Sequence, residues 1–570
     1  MKQPFRKLYT EAGERLNNDP SVIPWDVYPR PRLKRKEWLN LNGEWELETE
    51  SGYKGPIRVP FCVESLLSGY DSEKHGRIGY GEKLKYRRTF SVPEEWRGKR
   101  VILNLGAASR YSRVYVNGSF EGFSNSAYFP SEWDITDALR EGENLLEIVC
   151  VNDLDPTYPY GKQRIKRGGM WYTPCSGIWQ TVWLEPVPAE HITNIECVRD
   201  GNAQIIKIEG VREGTVYCEG RSFRFKKGSC RVSVKKPRLW SPEEPNLYEF
   251  TVKGGGDEVG SYFAFRSVET KNVGGVPRLC LNGKPYFFNG LLDQGYFSDG
   301  LWTPAEPEEY ERDIMKMKSL GFNMLRKHIK IEPELFYYYC DKLGMAVFQD
   351  MVNNGRYSFF RDTLLPTVGV TGLCDRGLNL NEKARTTFLR SMQGTVFRLS
   401  NHPSIVYWTI FNEGWGQFRA DEAYEQLKRC DGSRVIDATS GWFHQKRTDV
   451  DSLHIYFKRL RLGKRRELPQ VISEFGGYVW KDAEHSFNLE KTYGYKIFKT
   501  REELVSALRG LYENELLPLI VEGLCAAVYT QVSDVEDETN GLLTYDRRVM
   551  KITPAEIRGI MERIGEAVRE

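Results

Sequence analysis

Ser404-Ile-Val-Tyr-Trp-Thr-Ile-Phe-Asn-Glu413 is an unbroken uncharged run that stops at an amide and a carboxylate. Its apolar density reads as a strand buried on both faces, the habit of parallel sheets. Gly414-Trp415-Gly416 follow, a turn with an aromatic side chain in its middle. Further along, Pro469-Gln-Val-Ile-Ser-Glu474 repeats the pattern and leads into Phe475-Gly476-Gly477. Carboxylates at the C-terminal tips of parallel strands are placed where barrel enzymes keep their chemistry.

Working outward, strands and helices alternate on either side of these two runs. Phe287-Phe-Asn-Gly-Leu-Leu292, Phe322-Asn-Met-Leu-Arg326 and Met345-Ala-Val-Phe-Gln-Asp350 read as strands before Ser404–Glu413. Val435–Thr439, Ser452–Tyr456, Val471–Glu474 and Cys525–Thr530 read as strands after it. Pro304–Leu320, Glu332–Leu343 and Arg390–Leu399 have helical spacing. A parallel (β/α)8 barrel over residues 271–570 is the economical fold, with Glu413 ending the fourth strand and Glu474 the seventh. Segments 353–384 and 479–500 exceed ordinary connections and are expected to act as lids.

The grammar before residue 271 is different. Runs such as Val101–Leu105, Ser112–Val116 and Leu145–Val151 alternate and are separated by turns such as Asn117-Gly118. Residues 1–188 are therefore expected to form a β jelly roll, and 189–270 a small immunoglobulin-like β-sandwich. The chain is multidomain on length alone, since 570 residues exceed what one core organises.

Composition removes several classes. Net charge is +3 and charged residues make up 28%, which gives no nucleic-acid footprint and no disorder. The N-terminus lacks the apolar core of a secretion signal, and no stretch is long enough to cross a bilayer, so no membrane partner is expected. The 11 cysteines are scattered with no C-x-x-C pair, which points to reduced thiols, no structural zinc and a cytoplasmic protein. The basic run Lys458–Arg466 reads either as a solvated loop or as a cationic lip near the mouth.

Tips of the fourth and seventh strands face each other across a barrel mouth. A glycosidase that retains anomeric configuration wants its two carboxyl groups roughly 5–5.5 Å apart. One stays ionised and attacks carbon, and the other carries a proton. Glu474 is expected to be the ionised one, with Arg326 as cationic partner, and Glu413 the protonated one. Asp350 is expected to bind a hydroxyl or to pair with Arg326 or His328. His454 and Tyr456 are expected to hold the nucleophile or the sugar, and Trp415 and Tyr478 to form apolar walls.

Several segments resemble glycoside hydrolase family 2, which includes β-galactosidases, β-glucuronidases and β-mannosidases. Asn401–Glu413 resembles that family's acid/base signature, and Leu281–Gly290 the opening of its barrel. Gly321–Arg326 resembles its second strand, and Tyr172–Trp183 the end of its sugar-binding domain. The resemblance implies the order jelly roll, immunoglobulin-like sandwich, TIM barrel, and it offers the first-domain loop Gly161-Lys162-Gln163 as one that reaches the barrel mouth, a plain surface loop being the other reading. It implies Glu413 as acid/base, Glu474 as nucleophile and Asn412 as the contact to the sugar 2-hydroxyl. The implied substrate is a small β-glycoside or oligosaccharide, and association into a homo-oligomer is compatible with the architecture.

The chain also departs from the family. Leu292-Asp293-Gln294-Gly295 replaces an Arg-His-Glu segment, with Asp293 expected as a substitute contact to the sugar, and Glu536-Asp-Glu-Thr-Asn540 lacks the lysine with which family β-glucuronidases grip a uronate. The negative charge of that stretch ranks a neutral sugar first, which makes β-galactosidase the leading expectation and β-glucuronidase or β-galacturonidase the alternative. Gln349–Val352 does not reproduce the family's magnesium ligands, so no metal or other cofactor is expected. A carbohydrate-binding protein without catalysis is the reading from a different class, and the presence of both glutamates argues against it.

Overall fold

The computed structural model describes residues 5–567. Between Leu39 and Val187 two antiparallel sheets of six and four strands face each other. Trp45, Leu47, Tyr86, Leu103, Ile148 and Leu184 fill the space between them. Alternating burial along Glu143–Val151 is the mark of a sheet with one wet face. Seven further antiparallel strands follow between Asn194 and Phe263. A group of three and a group of four meet only at the pair Lys226–Ser229 and enclose Ile206, Val216, Phe225, Val252 and Phe263.

The remainder is a barrel of eight parallel strands. They are β1 (Phe288–Asp293), β2 (Met324–Lys327), β3 (Ala346–Asp350), β4 (Ile405–Asn412), β5 (Val435–Ser440), β6 (Asp451–Ile455), β7 (Gln470–Gly476) and β8 (Leu524–Thr530). Every residue of β3, β4, β7 and β8 is buried, because the interior packs one face and helices or loops cover the other. The ladder runs from β5 back to β1, then through β8 and β7 to β6. Side chains bridge the remaining gap between β5 and β6: Ser440 Oγ lies 3.1 Å from His454 Nε2.

Helices α1 (Glu308–Ser319), α2 (Glu334–Leu343), α3 (Glu382–Leu399), α4 (Ala420–Cys430), α5 (Arg501–Leu511) and α6 (Pro554–Ala567) surround the strands. The third begins eight positions before its expected start, capped by Asn381, whose side chain accepts from the Ala384 amide at 3.0 Å. Strict alternation fails after β5 and β6, where loops replace helices. The seventh strand also ends differently from expectation: β7 runs two residues past Glu474, so this side chain leaves the sheet from within the strand.

The first domain is clamped to the barrel rim. Tyr160 N donates to Asn353 O at 3.1 Å, and Tyr160 Oη to Gly355 O at 2.8 Å. Arg167 pairs with Glu536 at 3.2 Å and Asp537 at 3.3 Å, and Tyr172 donates its hydroxyl to Glu538. The acids at 536–538 are thus spent largely on holding the two domains together. This corrects the expectation that they present a negative face to the sugar. Among the described residues no helix is long and apolar enough to cross a membrane.

Candidate active site

Glu413 stands one residue beyond β4, in the left-handed region at φ 54°. Its amide donates to Ser440 O at 2.9 Å and its carbonyl accepts from Trp442 Nε1 at 3.0 Å, which fixes this uncommon backbone. Gly414 must be glycine: at φ 70° a Cβ would stand 2.2 Å from the Phe443 ring. The turn aims the Glu413 carboxyl across the mouth, with 21% of the side chain exposed and one partner, His454 Nδ1, at 2.7 Å from Oε1.

Glu474 has the opposite surroundings. It is buried, its Oε1 accepts from Arg326 Nη1 at 3.0 Å and its Oε2 from the Tyr456 hydroxyl. Burial pushes its pKa up, but the charges of His454, Arg326 and His328 and the Tyr456 bond outweigh that and bring it down to about 2. Tyr456 itself is held as a phenol, well above its ordinary pKa, by burial and by the Glu474 charge, so it remains a donor.

One oxygen of Glu413, one of Glu474 and one ring nitrogen of His454 lie within 4.8 Å of each other. That oxygen spacing fits a pair sharing one anomeric carbon; a pair with a water between them sits roughly 6.5–9.5 Å apart. The trio also resembles a ligand set for a metal ion. A cation does not fit it well, because both Glu474 oxygens are already taken and the Arg326 guanidinium lies against the same carboxylate.

Arg326 organises the floor. Its Nη2 donates to Asn412 Oδ1 at 2.8 Å and its Nε to Asp350 Oδ1 at 3.0 Å. Asn412 keeps its amide nitrogen without a protein partner among the described residues; it precedes Glu413 directly in sequence and shares the Arg326 guanidinium with Glu474. Asp350 lies beneath the cleft, its oxygens taken by Arg326 and by His328 Nδ1 at 2.8 Å, and these charges hold its carboxyl below the usual range against the effect of burial. Of its two expected uses, the structure favours pairing over contact with a hydroxyl.

Three expected positions are not brought to this cluster. Asp293 is committed to Lys327 Nζ at 2.7 Å and to the Gly295 amide at 2.9 Å. Tyr478 packs edge-on against Phe498 and Tyr529, behind β8. Trp415 is 3% exposed and forms an aromatic pillar with Tyr160, Trp171 and Tyr357, so it supports the rim where the first domain meets the barrel. In each case the residue follows a strand tip, but tertiary packing turns its side chain elsewhere.

Tyr495 and Trp442 were not singled out by sequence, whereas the loop that carries Lys162 was marked by the family resemblance alone. Tyr495, from the long 479–500 segment, stacks on Tyr456 at 3.6 Å and 9°, and so builds the wall expected of Tyr478. Trp442 lies 5.5 Å from the His454 ring, nearly edge-on. Lys162 comes from the first domain. Its neighbour Gly161 abuts Ile329 O, next to His328, and a Cβ there would stand 2.9 Å from that carbonyl. The Lys162 side chain is half-buried and has no hydrogen-bond or ion-pair partner among the described residues. Its charge opposes protonation of His328 after burial does, and it partly offsets burial at Glu538. The readable signal was the alternation Arg326-Lys-His328, which puts His328 on the Arg326 face; nothing local signals Lys162 or Tyr495.

A parallel barrel with two carboxylates facing each other over its mouth is the architecture of glycoside hydrolases. Three models of one family match in series: the family 2 sugar binding domain over 39–188, family 2 glycosyl hydrolases over 199–266, and the family 2 TIM barrel domain over 276–482. The chain belongs to glycoside hydrolase family 2. It is 30% identical over 407 residues to a β-galactosidase of Aeromonas hydrophila, covering 64% of this chain and 36% of that protein. It is 22% identical over 473 residues to a β-galactosidase of Priestia megaterium, covering 74% and 42%. The chain thus spans well under half the length of these relatives. Its fold is similar to solved β-glucuronidases from an uncultured Clostridium sp. (TM-score 0.72, 18% identity, 95% of this chain and 99% of that one) and from Dictyoglomus thermophilum (0.73, 18%, 95% and 98%).

Proposed function

We propose that the chain is a retaining, exo-acting β-glycosidase in which Glu474 is the nucleophile and Glu413 the acid/base. The observation that carries this is the pairing of two carboxyl groups within 4.8 Å whose partners are so unequal. Arg326 and Tyr456 keep Glu474 ionised and aimed. Glu474 attacks the anomeric carbon as the bond to the leaving oxygen breaks, and Glu413 gives that oxygen its proton. Water then attacks the same carbon, Glu413 takes the water proton, and the bond to Glu474 breaks.

His454 links the two sides of the cleft: its Nδ1 meets Glu413 Oε1 at 2.7 Å, and its Nε2 faces Ser440 Oγ at 3.1 Å and Arg326 Nη1 at 3.5 Å. Asn412, with its free amide, is read as the donor to the sugar 2-hydroxyl, and the Tyr456–Tyr495 stack as a wall of the subsite. The first-domain loop over β2 and β3 closes one end and supports exo action. On the same reading residues 1–188 are a jelly roll, 189–270 an immunoglobulin-like sandwich and 271–570 the catalytic domain.

For the sugar we keep a β-galactoside first, in line with the curated relatives. A β-uronide is the second reading, favoured by one observation: Lys162 brings an unpartnered cation to the mouth. Rates on aryl β-galactoside, β-glucuronide, β-galacturonide and β-mannoside rank these readings. Lys162→Met should leave a galactosidase's order unchanged and should abolish a uronide preference. Proton NMR of the first-formed sugar tests the mechanism: the β-anomer is expected, and the α-anomer would refute retention.

A further inference from the structure

The first-domain loop at the barrel mouth carries Lys162 and Arg164, neither of which has an acidic partner among the described residues. Gln163 between them is buried and fixed. Its Nε2 donates to Tyr160 O at 2.8 Å and its Oε1 accepts from the Cys175 amide at 2.8 Å. The backbone on either side is tied to Tyr172: Tyr172 N donates to Lys162 O at 3.0 Å, and Arg164 N donates to Tyr172 O at 3.1 Å. Lys162 and Arg164 therefore leave this extended stretch on the face opposite Gln163, about 6.6 Å apart.

The two cations serve different ends of the cleft. The charge of Lys162 reaches His328 and Glu538. Arg164 instead covers Trp171 at 4.7 Å and Tyr357 at 5.9 Å, two rings of the pillar that includes Trp415. Burial raises the pKa of the Tyr357 hydroxyl most, and the charges of Glu413 and Arg164 both reach it. Arg164 is thus on the Glu413 side.

Nothing nearby neutralises it. Its guanidinium has no hydrogen bond or ion pair among the described residues. Asp362, on the facing segment after β3, is taken by Arg361 and by the Ser358 amide at 2.8 Å. Asp153 and Asp155 are taken by Arg110 and Lys383. Glu536 and Asp537 are bound by Arg167, and Glu538 lies on the Lys162 side. Lys166 and Arg356 are exposed and unpaired among the described residues, and they add to the positive charge. Glu413 is neutral whenever it carries its proton.

The departing oxygen must lie at the proton donor, so a leaving group extends from Glu413 along the rings that Arg164 covers. We infer that Arg164 determines specificity for the leaving group, and that it binds the carboxylate of an acidic sugar, a hexuronic acid on the reducing side of the scissile bond. A guanidinium held over aromatic rings offers its N–H fork to two oxygens in one plane, which a carboxylate supplies. This role of Arg164 rests on the glycosidase reading, with Glu413 as acid/base, and it holds for a neutral or an acidic glycone alike.

The test uses the full-length protein and three disaccharides. In each the sugar that the enzyme accepts is β-1,4-linked, to galacturonic acid, to galactose or to galactose 6-sulfate, and the aryl glycoside of the same sugar is run alongside. kcat/KM for the galacturonic acid disaccharide should exceed that for the galactose one about fivefold, the scale of an exposed ion pair of good geometry, and the excess should shrink at high salt. In Arg164→Met this ratio should fall to about 1, with Arg164→Lys in between, whereas a folding defect lowers both rates together. A wild-type ratio near unity, or a ratio that Arg164→Met leaves unchanged, would overturn the role of Arg164. Faster hydrolysis of the sulfate than of the uronic acid disaccharide would overturn the carboxylate as its ligand. No hydrolysis of any of the four compounds by the wild type would overturn the glycosidase function beneath it.

Discussion

The imidazole of His454 stands between the two glutamates, 2.7 Å from Glu413 Oε1 and 3.6 Å from Glu474 Oε2. It touches both carboxyl groups from a single strand tip at the seam of the barrel, where no backbone ladder fixes the separation. His454→Phe removes the one hydrogen-bond partner of the Glu413 carboxyl among the described residues. We expect kcat for alkyl glycosides, whose leaving oxygen needs a proton from Glu413, to fall about 10²-fold or more, with a smaller loss for nitrophenyl glycosides. A loss equal for both leaving groups, or confined to KM, would show that His454 acts only on sugar binding.

Tyr456→Phe deletes one donor to Glu474 and leaves the ring on Tyr495. With less to hold it ionised, the carboxyl titrates higher, so the acid limb of kcat/KM moves to higher pH. The rate at neutral pH should drop roughly 10²-fold, the usual cost of losing one preorganised donor. Glu474 titrates at about 2 in the fold against 4.5 ordinarily, so it stabilises the fold above the higher value. That contribution is lost as pH falls from 4.5 towards 2, and the loss should be smaller in the Tyr456→Phe protein. Acid unfolding curves of the two proteins measure the difference.

Glu413→Ala should spare the first step for substrates whose leaving group needs no proton. Dinitrophenyl glycosides would still label the enzyme, while turnover falls about 10²–10⁴-fold for want of a base. Azide in the second step should restore turnover and give a β-glycosyl azide. An α-azide, or no rescue, would assign the acid/base role elsewhere.

Arg167→Ala tests the domain clamp. Arg167 holds Glu536 and Asp537 and stacks over Phe5 at 4.2 Å. Its side chain is 18% exposed, so we expect a loss of about 2 kcal/mol, below the ~3–5 kcal/mol of a fully buried pair. The two acids left without their cation near the mouth should also weaken any anionic substrate more than a neutral one. Chemical denaturation and paired KM values provide the two readouts.

Much of the barrel was legible because its strands are short apolar runs with helical spacing between them, and such runs have few other uses. Glu413, Glu474, Arg326 and His454 were legible for the same reason: each sits at or near a strand tip, where side-chain direction follows from strand period. Tyr478 and Trp415 obey the same local rule and were misread as walls, because the bulky neighbours Tyr529 and Trp171 decide where those rings pack. Asp293 was misread because Lys327, on the next strand, captures it. Tyr495 was invisible, and Lys162 was marked only through the family resemblance, for another reason. The first reaches the cleft through a long irregular segment, and the second through docking of a separate domain, and neither path leaves a periodic trace in sequence. The charge of 536–538 shows the same limit, since its partners Arg167 and Tyr172 lie in the first domain.

The most direct measurement is mass spectrometry of the protein after reaction with a 2-deoxy-2-fluoro-β-galactosyl fluoride and, in parallel, the corresponding uronosyl fluoride. Double displacement at this site predicts one adduct per chain with whichever sugar is accepted, on the peptide that carries Glu474, and no adduct in Glu474→Gln. A glycosyl group found on another residue, or turnover of the wild-type protein with both reagents and no covalent species at all, would contradict it.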